Sequence, residues 1–410
     1  MTRDIQPTED VRAKWLDAST VIAFALFLIL PAVLPIIRRA GPPILVATGL
    51  FAAIILWREA KLGKVCRAHL RHPGTLLFLI FMAWAAISLG WSTLPSRGAG
   101  LIASSFVLVA SIVMISQFPL SKRAPGFLVV GLSIGGAAIA LDLLSGQHLL
   151  QFVHKEKAEP WRYNMTVVSL CIFSLGLLSH LESRKPYKVV AALIVVFIGT
   201  FLGDSETAKL VLVLFPVLFF VTMATPQSLI KPAFYCLIAF IFFYAATGMP
   251  GLIHLKTIVP SDFWVHASGD ERLKIWSGVA DFALHGLPFG WGVETIAAPR
   301  ETAYFIAATR EIQWGLSQWH SHNNFLQITT ELGLPGMALS SAVLGLIVVK
   351  SFPRSRVRVA AFVTFVTAIM GVAAISHGFW QSWWWAAVLI GWYALVGEVE
   401  EPKGGTANSA

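Results

Sequence analysis

AGLIASSFVLVASIVMISQF, residues 99–118, is a run of twenty residues without a charge. As a helix it would measure about 30 Å, the thickness of the hydrocarbon core of a bilayer. Comparable apolar runs stand at roughly 20–37, 42–57, 74–92, 99–118, 126–144, 163–180, 187–203, 208–224, 232–248, 324–350, 357–376 and 383–397. Pro31, Pro35 and Pro216 interrupt some of them, which neighbouring helices in a bundle tolerate. The runs predict an all-α integral membrane protein of about twelve transmembrane helices, with one long, partly helical loop on the outer face.

Composition supports the same reading. Of 410 residues, 56% are hydrophobic and 13% charged, against about 25% charged in ordinary soluble domains. So little polar surface cannot cover a core of this size in water. The net charge of +9 does not point to nucleic acid, because the basic residues sit in short breaks between apolar runs instead of on one soluble face. Cys66, Cys171 and Cys236 are too few and scattered for a disulfide framework or a metal knuckle, and read as small buried hydrophobes. Asp4, Glu9 and Asp10 precede the first run, and no small-residue cleavage site follows it, so the first span is expected to stay in the mature protein.

Lys and Arg collect in cytoplasmic loops. With the N-terminus inside, nineteen fall in cytoplasmic breaks and seven in the short outer ones, which places both termini in the cytoplasm. The expected division is 1–248 for spans one to nine, 249–323 for an outer loop carrying an interfacial helix and the active-site motif, 324–397 for the last three spans, and 398–410 for a disordered cytoplasmic tail.

A loop this long is usually functional or disordered, and five tryptophans (Trp264, Trp276, Trp291, Trp314, Trp319) argue for order. They suit an interfacial belt or stacking on sugar rings. Ser268-Gly269-Asp270-Glu271 fits a capping box, so a helix should start there. Leu273, Trp276, Ala280, Ala283 and Leu284 form its apolar stripe, to be laid along the membrane surface or against the bundle. His285-Gly286-Leu287-Pro288 should end it, with a tight turn at Gly290-Trp291-Gly292.

Chemistry concentrates in Trp319-His320-Ser321-His322-Asn323-Asn324-Phe325-Leu326-Gln327 and Glu331-Leu332-Gly333-Leu334-Pro335-Gly336. Histidines and amides at a membrane boundary are costly unless used, and a histidine is the natural base for a hydroxyl at neutral pH. A metal held by His320 and His322 lacks a third ligand at close spacing, so no metal and no cofactor is expected. Arg272, Arg310, Arg162 and Lys209 are the cations expected on the same side. Arginine's planar fork suits phosphates. His377-Gly378-Phe379-Trp380-Gln381-Ser382-Trp383-Trp384-Trp385 is a further outer break, able to floor a glycan groove or form a belt.

The stretch His320 to Gln327, with Glu331-Leu332-Gly333 and Gly336 after it and Arg272, Trp276, His285, Pro288, Gly290 and Gly292 before it, resembles the signature of the O-antigen ligase and polymerase superfamily of bacterial envelope glycosyltransferases. The likeness covers roughly residues 160–395. It implies transfer of a glycan from undecaprenyl diphosphate to an acceptor hydroxyl at the periplasmic face of the inner membrane, without nucleotide sugar or metal. The acceptor is lipid A core in the ligases and a second lipid-linked repeat unit in the O-antigen or exopolysaccharide polymerases. Carried onto this sequence, His322 is the base and Arg272 contacts the diphosphate, with His320, Asn323, Arg162, Lys209, Arg310 and Trp276 as substrate-binding residues. Many members carry an arginine after a serine at the seventh-to-eighth hairpin. Here Glu206 follows Ser205 and Lys209 stands three residues on. Membrane lipids are expected partners and nucleic acid is not. A multi-span transporter is the competing class; no paired broken helices of an inverted repeat are visible, and polar residues crowd one face instead of the midplane.

Overall fold

The computed structural model describes residues 17–154, 159–181, 186–247, 269–318 and 320–397. Trp264, Ser268, Trp319 and the tail from Glu398 lie outside them. The described residues are helical and include no strand. In chain order the helices are α1 (Asp17–Val33), α2 (Gly41–Arg58), α3 (Leu62–Leu70), α4 (Pro73–Ser88), α5 (Pro95–Ile115), α6 (Ala124–Ser145), α7 (His148–His154), α8 (Asn164–Leu177), α9 (Pro186–Phe201), α10 (Glu206–Ala224), α11 (Gln227–Thr247), α12 (Gly269–Gly286), α13 (Ala303–Ala307), α14 (Arg310–Leu316), α15 (Asn324–Ser351), α16 (Arg356–Ile375) and α17 (Ser382–Val396). Among the described residues, eight helices are long and apolar enough to cross a bilayer: α2, α4, α5, α6, α8, α10, α15 and α16, with short 3-10 turns extending α4 and α8. The shorter apolar α1, α9, α11 and α17 complete the twelve, and each coincides with one apolar run of the sequence. The chain is an all-α integral membrane protein.

The described residues fall into two units, drawn from Met1–Glu59, Val109–Asp204 and Ala386–Ala410 and from Ala60–Leu108 and Ser205–Trp385. In the first, α6 is the central helix and uses glycine to bring backbones together. A Cβ on Gly135 would lie 2.4 Å from the Pro31 carbonyl of α1, and one on Gly199 of α9 would lie 2.7 Å from the Gly136 carbonyl. Between helices in lipid, such contact is where packing energy comes from. At the end of α6 the buried Asp142 accepts from the Tyr163 hydroxyl at 2.7 Å and from the Leu149 amide at 2.6 Å.

The second unit is organised by a break in α15. Gly333 turns the chain at φ +64°, and Pro335 has no N–H to give the Glu331 carbonyl. Carbonyls released inside a membrane helix must find other donors. The loop after α12 supplies them: the Trp291 amide donates to Thr330 O at 2.9 Å and the Gly292 amide to Glu331 O at 2.8 Å. In return the Leu334 amide donates to Pro288 O at 2.9 Å, and Trp84 Nε1 of α4 takes the Leu332 carbonyl at 2.8 Å.

The loop helix spans Gly269–Gly286 and ends where the sequence places its end, while Ser268 of the expected capping box lies outside the described residues. Of the two placements expected for it, the structure takes the one against the bundle: Ile275, Val279, Ala280, Phe282 and Ala283 pack with Leu316 of α14 and Leu326 of α15, with Trp276 and Trp291 partly buried on the same cluster. These two tryptophans are core residues, whereas Trp314 is exposed. The cysteine expectation needs correction, since only Cys171 is buried while Cys66 and Cys236 are exposed. Both sit on outward faces of their helices.

A methyl group at Gly333 would meet the Pro288 carbonyl at 2.1 Å, whereas at Gly345 of the same helix it meets nothing within 4 Å. Gly333→Ala should therefore lower the melting temperature in detergent, its backbone conformation alone costing about 1–3 kcal/mol. Gly345→Ala should leave it unchanged or raise it, the helix gaining up to about 1 kcal/mol.

Candidate functional site

All residues of the site belong to the second unit. Its centre is the tight passage from the loop into α15. Asn323 is the N-cap of α15, its Oδ1 accepting from the Leu326 amide at 3.0 Å. Ser321, fully buried, bonds the Asn323 carbonyl at 2.6 Å through its hydroxyl. These two anchors force His322 into the left-handed region at φ +52°, a conformation uncommon outside glycine and often found where geometry serves function.

His322 Nδ1 lies 2.6 Å from the carbonyl oxygen of Ser376, at the end of α16. A carbonyl only accepts, so Nδ1 carries the proton and the lone pair of the neutral ring is on Nε2. Among the described residues, no hydrogen bond engages Nε2. Burial pushes the His322 pKa below the ordinary histidine value; the Ser376 carbonyl opposes this, Arg272 adds to it, and Glu271 opposes it. The ring is therefore neutral at pH 7.

His320 stands beside it with ring centroids 4.1 Å apart, and its Nδ1 accepts from the His322 amide at 3.3 Å. Burial first, then His322, lowers the His320 pKa to about 3. His377 is likewise lowered to about 3 by burial, and then by His320, His322 and Arg272. Ser376 ties these parts together: Thr207 at the start of α10 donates to its hydroxyl at 3.2 Å, and that hydroxyl lies 3.3 Å from His377 Nε2. Among the described residues no three His, Cys, Asp or Glu side chains converge as metal ligands would.

Arg272, in the first turn of α12, is the cation within electrostatic reach of this group. Burial lowers its pKa, while Glu206 and Glu271 raise it. No hydrogen bond or ion pair joins its guanidinium to a described residue. A half-buried guanidinium within electrostatic reach of a neutral imidazole with an open lone pair has the chemistry to hold an anion and take a proton.

Residues 165–341 match the family model described as O-Antigen ligase. The match takes in α8 to the middle of α15, and with them Arg272, His320, His322 and the α15 break. This central stretch of the chain is thus similar to the O-antigen ligase family. Relatives carry corresponding names. A Rickettsia felis protein provisionally named a polysaccharide ligase is 25% identical over 357 residues, 82% of this chain and 85% of the relative. A provisionally named polysaccharide ligase of Rickettsia conorii is 28% identical over 178 residues, 39% of this chain and 41% of its own. One from Rickettsia typhi is 30% identical over 131 residues, 32% and 31% of the two chains.

Within the matched region the hairpin departure has a local explanation. Lys209 Nζ pairs with Glu206 Oε1 at 3.1 Å, so the carboxylate has its own cation and a second, Arg272, in its field. Arg310 is exposed at the start of α14. Trp276 packs in the α12 cluster, its Nε1 buried without a partner. Arg162 belongs to the first unit, its guanidinium 5.4 Å over the Trp161 ring.

Sequence reasoning missed the support of the candidate site. Gln327 Nε2 donates to Glu331 Oε1 at 3.1 Å, Trp380 Nε1 to Glu331 Oε2 at 2.5 Å, and the Phe379 amide to Gln327 Oε1 at 2.8 Å. A buried carboxylate thus holds the turn that carries Ser376 and His377. Glu294, in the loop, has its pKa raised by burial, which its partner Arg97, 2.8 Å away, opposes. The 377–385 break is neither glycan floor nor belt: Trp380, Trp383 and Trp384 are buried, the last two against His377. Asn324 is buried with Oδ1 unpartnered.

The histidine shifts fix a sign for acid stability. The folded-state pKa values of His320, His322 and His377 are all depressed, so between those values and the unfolded value of about 6.5 the unfolded chain binds more protons. Their contribution is complete above about 6.5 and lost progressively as the pH falls. Melting temperature in detergent should hold between pH 8 and 7 (roughly, given that unfolded value) and drop toward acid. His377→Gln should flatten that slope if the fold is kept.

Proposed function

We propose that this protein moves a glycan from undecaprenyl diphosphate to a sugar hydroxyl of lipid A core, at the periplasmic face of the inner membrane, with both termini in the cytoplasm. The observation that carries the reading is the tautomer of His322: Nδ1 is tied to the Ser376 carbonyl at 2.6 Å, and the basic Nε2 is left for an acceptor hydroxyl beside Arg272. The hydroxyl oxygen forms the new bond to the anomeric carbon while the bond from that carbon to the diphosphate oxygen breaks. The hydroxyl proton goes to His322 Nε2, and the electron pair leaves on the diphosphate. Arg272 stabilises that developing charge, as a fixed guanidinium in a partly dry site does best. No metal or other cofactor has a step in this scheme.

The remaining residues extend the site. Asn323 spends its Oδ1 on the α15 cap and keeps its amide N–H groups for sugar hydroxyls. His320 packs on the base, Trp276 backs α12, and Lys209 and Arg310 add positive charge for the diphosphate, Lys209 by exchanging Glu206 for a phosphate oxygen. The names of the relatives favour ligase over polymerase chemistry.

The test is reconstitution of the purified protein with an undecaprenyl-diphosphate-linked glycan, alone and with lipid A core, resolving products by size. Product only with lipid A core supports the ligase; ladders from the donor alone mean a polymerase, and neither product with intact protein would refute transfer. His322→Ala should cut the rate by about 10²–10⁴-fold, the usual worth of a general base, with expression and insertion kept. Arg272→Ala should also abolish transfer, and wild-type rates in both variants would end the assignment. Because the base must be unprotonated and the His322 pKa is lowered, the rate should be level above about pH 6.5 and fall in acid.

A further inference from the structure

The short helix α3 (Leu62–Leu70) lies outside the site and the bundle described so far. Its nine residues make a rod of about 14 Å, too short to cross a hydrocarbon core of about 30 Å. Only Arg71 and His72 separate it from α4, which is long and apolar enough to cross, and both helices belong to the second unit. The corner between them is fixed by two hydrogen bonds. The His72 amide donates to the His69 carbonyl at 2.9 Å, and His72 Nδ1 caps α4 by accepting from the Gly74 amide at 3.1 Å. The end of α3 is thereby tied to the level at which α4 begins.

The two sides of α3 differ in chemistry. At about 100° per residue, Lys64, Arg67 and Arg71 fall within about 60° of one another, and Leu62, Val65, Cys66 and Leu70 share an arc of about 140° on the other side. No residue of α3 is buried: Leu62 and Val65 are partly covered, Cys66 is exposed, and Leu70 is 59% exposed. His69 stands among them with its pKa lowered by burial and then by His72, so the apolar arc carries no charge at neutral pH. The three cations are exposed, and among the described residues no carboxylate pairs with them. Arg67 Nε donates instead to the Gly63 carbonyl of its own helix at 3.1 Å. From Ala60 to Leu141 the sequence holds no aspartate or glutamate. A helix of this make-up sinks its apolar side about 5–10 Å into the headgroup boundary, while long basic side chains reach from its polar side to the headgroups. Anionic headgroups are the ones that complement such a face.

We propose that α3 is a docking helix for anionic lipid: Leu62, Val65, Cys66 and Leu70 enter the leaflet where α4 begins, and Lys64, Arg67 and Arg71 hold its negatively charged headgroups. The surface is independent of the transfer chemistry above.

Cys66 reports on this directly. In the full-length Cys236→Ser protein it is the remaining exposed thiol, and it is labelled with bimane and placed in nanodiscs of phosphatidylglycerol or phosphatidylcholine. Acrylamide quenches from the water, and a nitroxide on the lipid acyl chain quenches from the bilayer. The label should be quenched by the nitroxide and shielded from acrylamide, more so in phosphatidylglycerol. A label on the opposite side, at Ala68→Cys with Cys66→Ser and Cys236→Ser, should show the reverse. Each basic residue removed should weaken docking about fivefold, and the phosphatidylglycerol preference should vanish in Lys64→Gln, Arg67→Gln, Arg71→Gln. It should vanish as well in unsubstituted α3 at about 1 M salt, where charges are screened within about 3 Å. Equal acrylamide quenching at the two positions, or equal shielding in the two lipids, would overturn the proposal. Shielding of Cys66 from both quenchers would also do so, and would mean that protein covers this face. If the triple variant is not monodisperse, the salt series is read alone, and a preference that survives it counts against anionic docking.

Discussion

A helix in lipid cannot leave a carbonyl unanswered, and α15 leaves several. Its break at Gly333 and Pro335 releases the carbonyls of Thr330, Glu331 and Leu332, and the donors that take them come from Trp291, Gly292 and Trp84. The loop after α12 is therefore held by main-chain hydrogen bonds, independent of what its side chains do. That firm junction lets α12 present Arg272 from one side while the residues leading into α15 present His322 from the other. The glycines at 290 and 333 follow from the same contact: a Cβ on Gly290 would lie 2.5 Å from the Glu331 carbonyl. Motif residues that look catalytic in the sequence are here the joint on which the site is hung.

The polar groups of the site follow a second constraint, that buried imidazoles are kept neutral. His320, His322 and His377 crowd together; burial lowers the pKa of each, with neighbouring imidazoles adding to this for His320 and His377 and Arg272 for His322 and His377. With the ring of His322 neutral, the position of its single proton becomes decisive, and the Ser376 carbonyl fixes it. Thr207, Ser376 and His377 in turn hold that carbonyl in place. A neutral base beside a guanidinium suits the lipid-linked glycan proposed above as substrate.

The fold was largely legible because its signals are local. Each apolar run became one helix, and the Asp270-Glu271 start and Gly286 stop of α12 fell where propensity placed them. His320, His322 and Arg272 were legible as residue types, and the structure brings them within electrostatic reach of one another. What holds them was not legible. Trp380 lies 49 residues from Glu331, and Ser376 lies 54 from His322; no local spacing announces such pairs. Tryptophans mislead for the same reason. An aromatic-rich break reads as a sugar platform, yet Trp380, Trp383 and Trp384 are buried supports. Lys209 looked available until Glu206 was found paired with it.

The seam between the loop and α15 also sets an order of assembly. Trp291 and Gly292 leave the ribosome before residues 330–334, and their amides bond carbonyls of α15 that are available only once α15 has entered the bilayer and bent at Gly333. Ser376 arrives later still, at the far end of α16. During synthesis, then, the chain exposes Arg272 early but lacks an oriented base until nearly all of its helices are in place. On the proposed scheme, a nascent or truncated chain holds Arg272 without an oriented His322, so transfer would wait until insertion is almost complete.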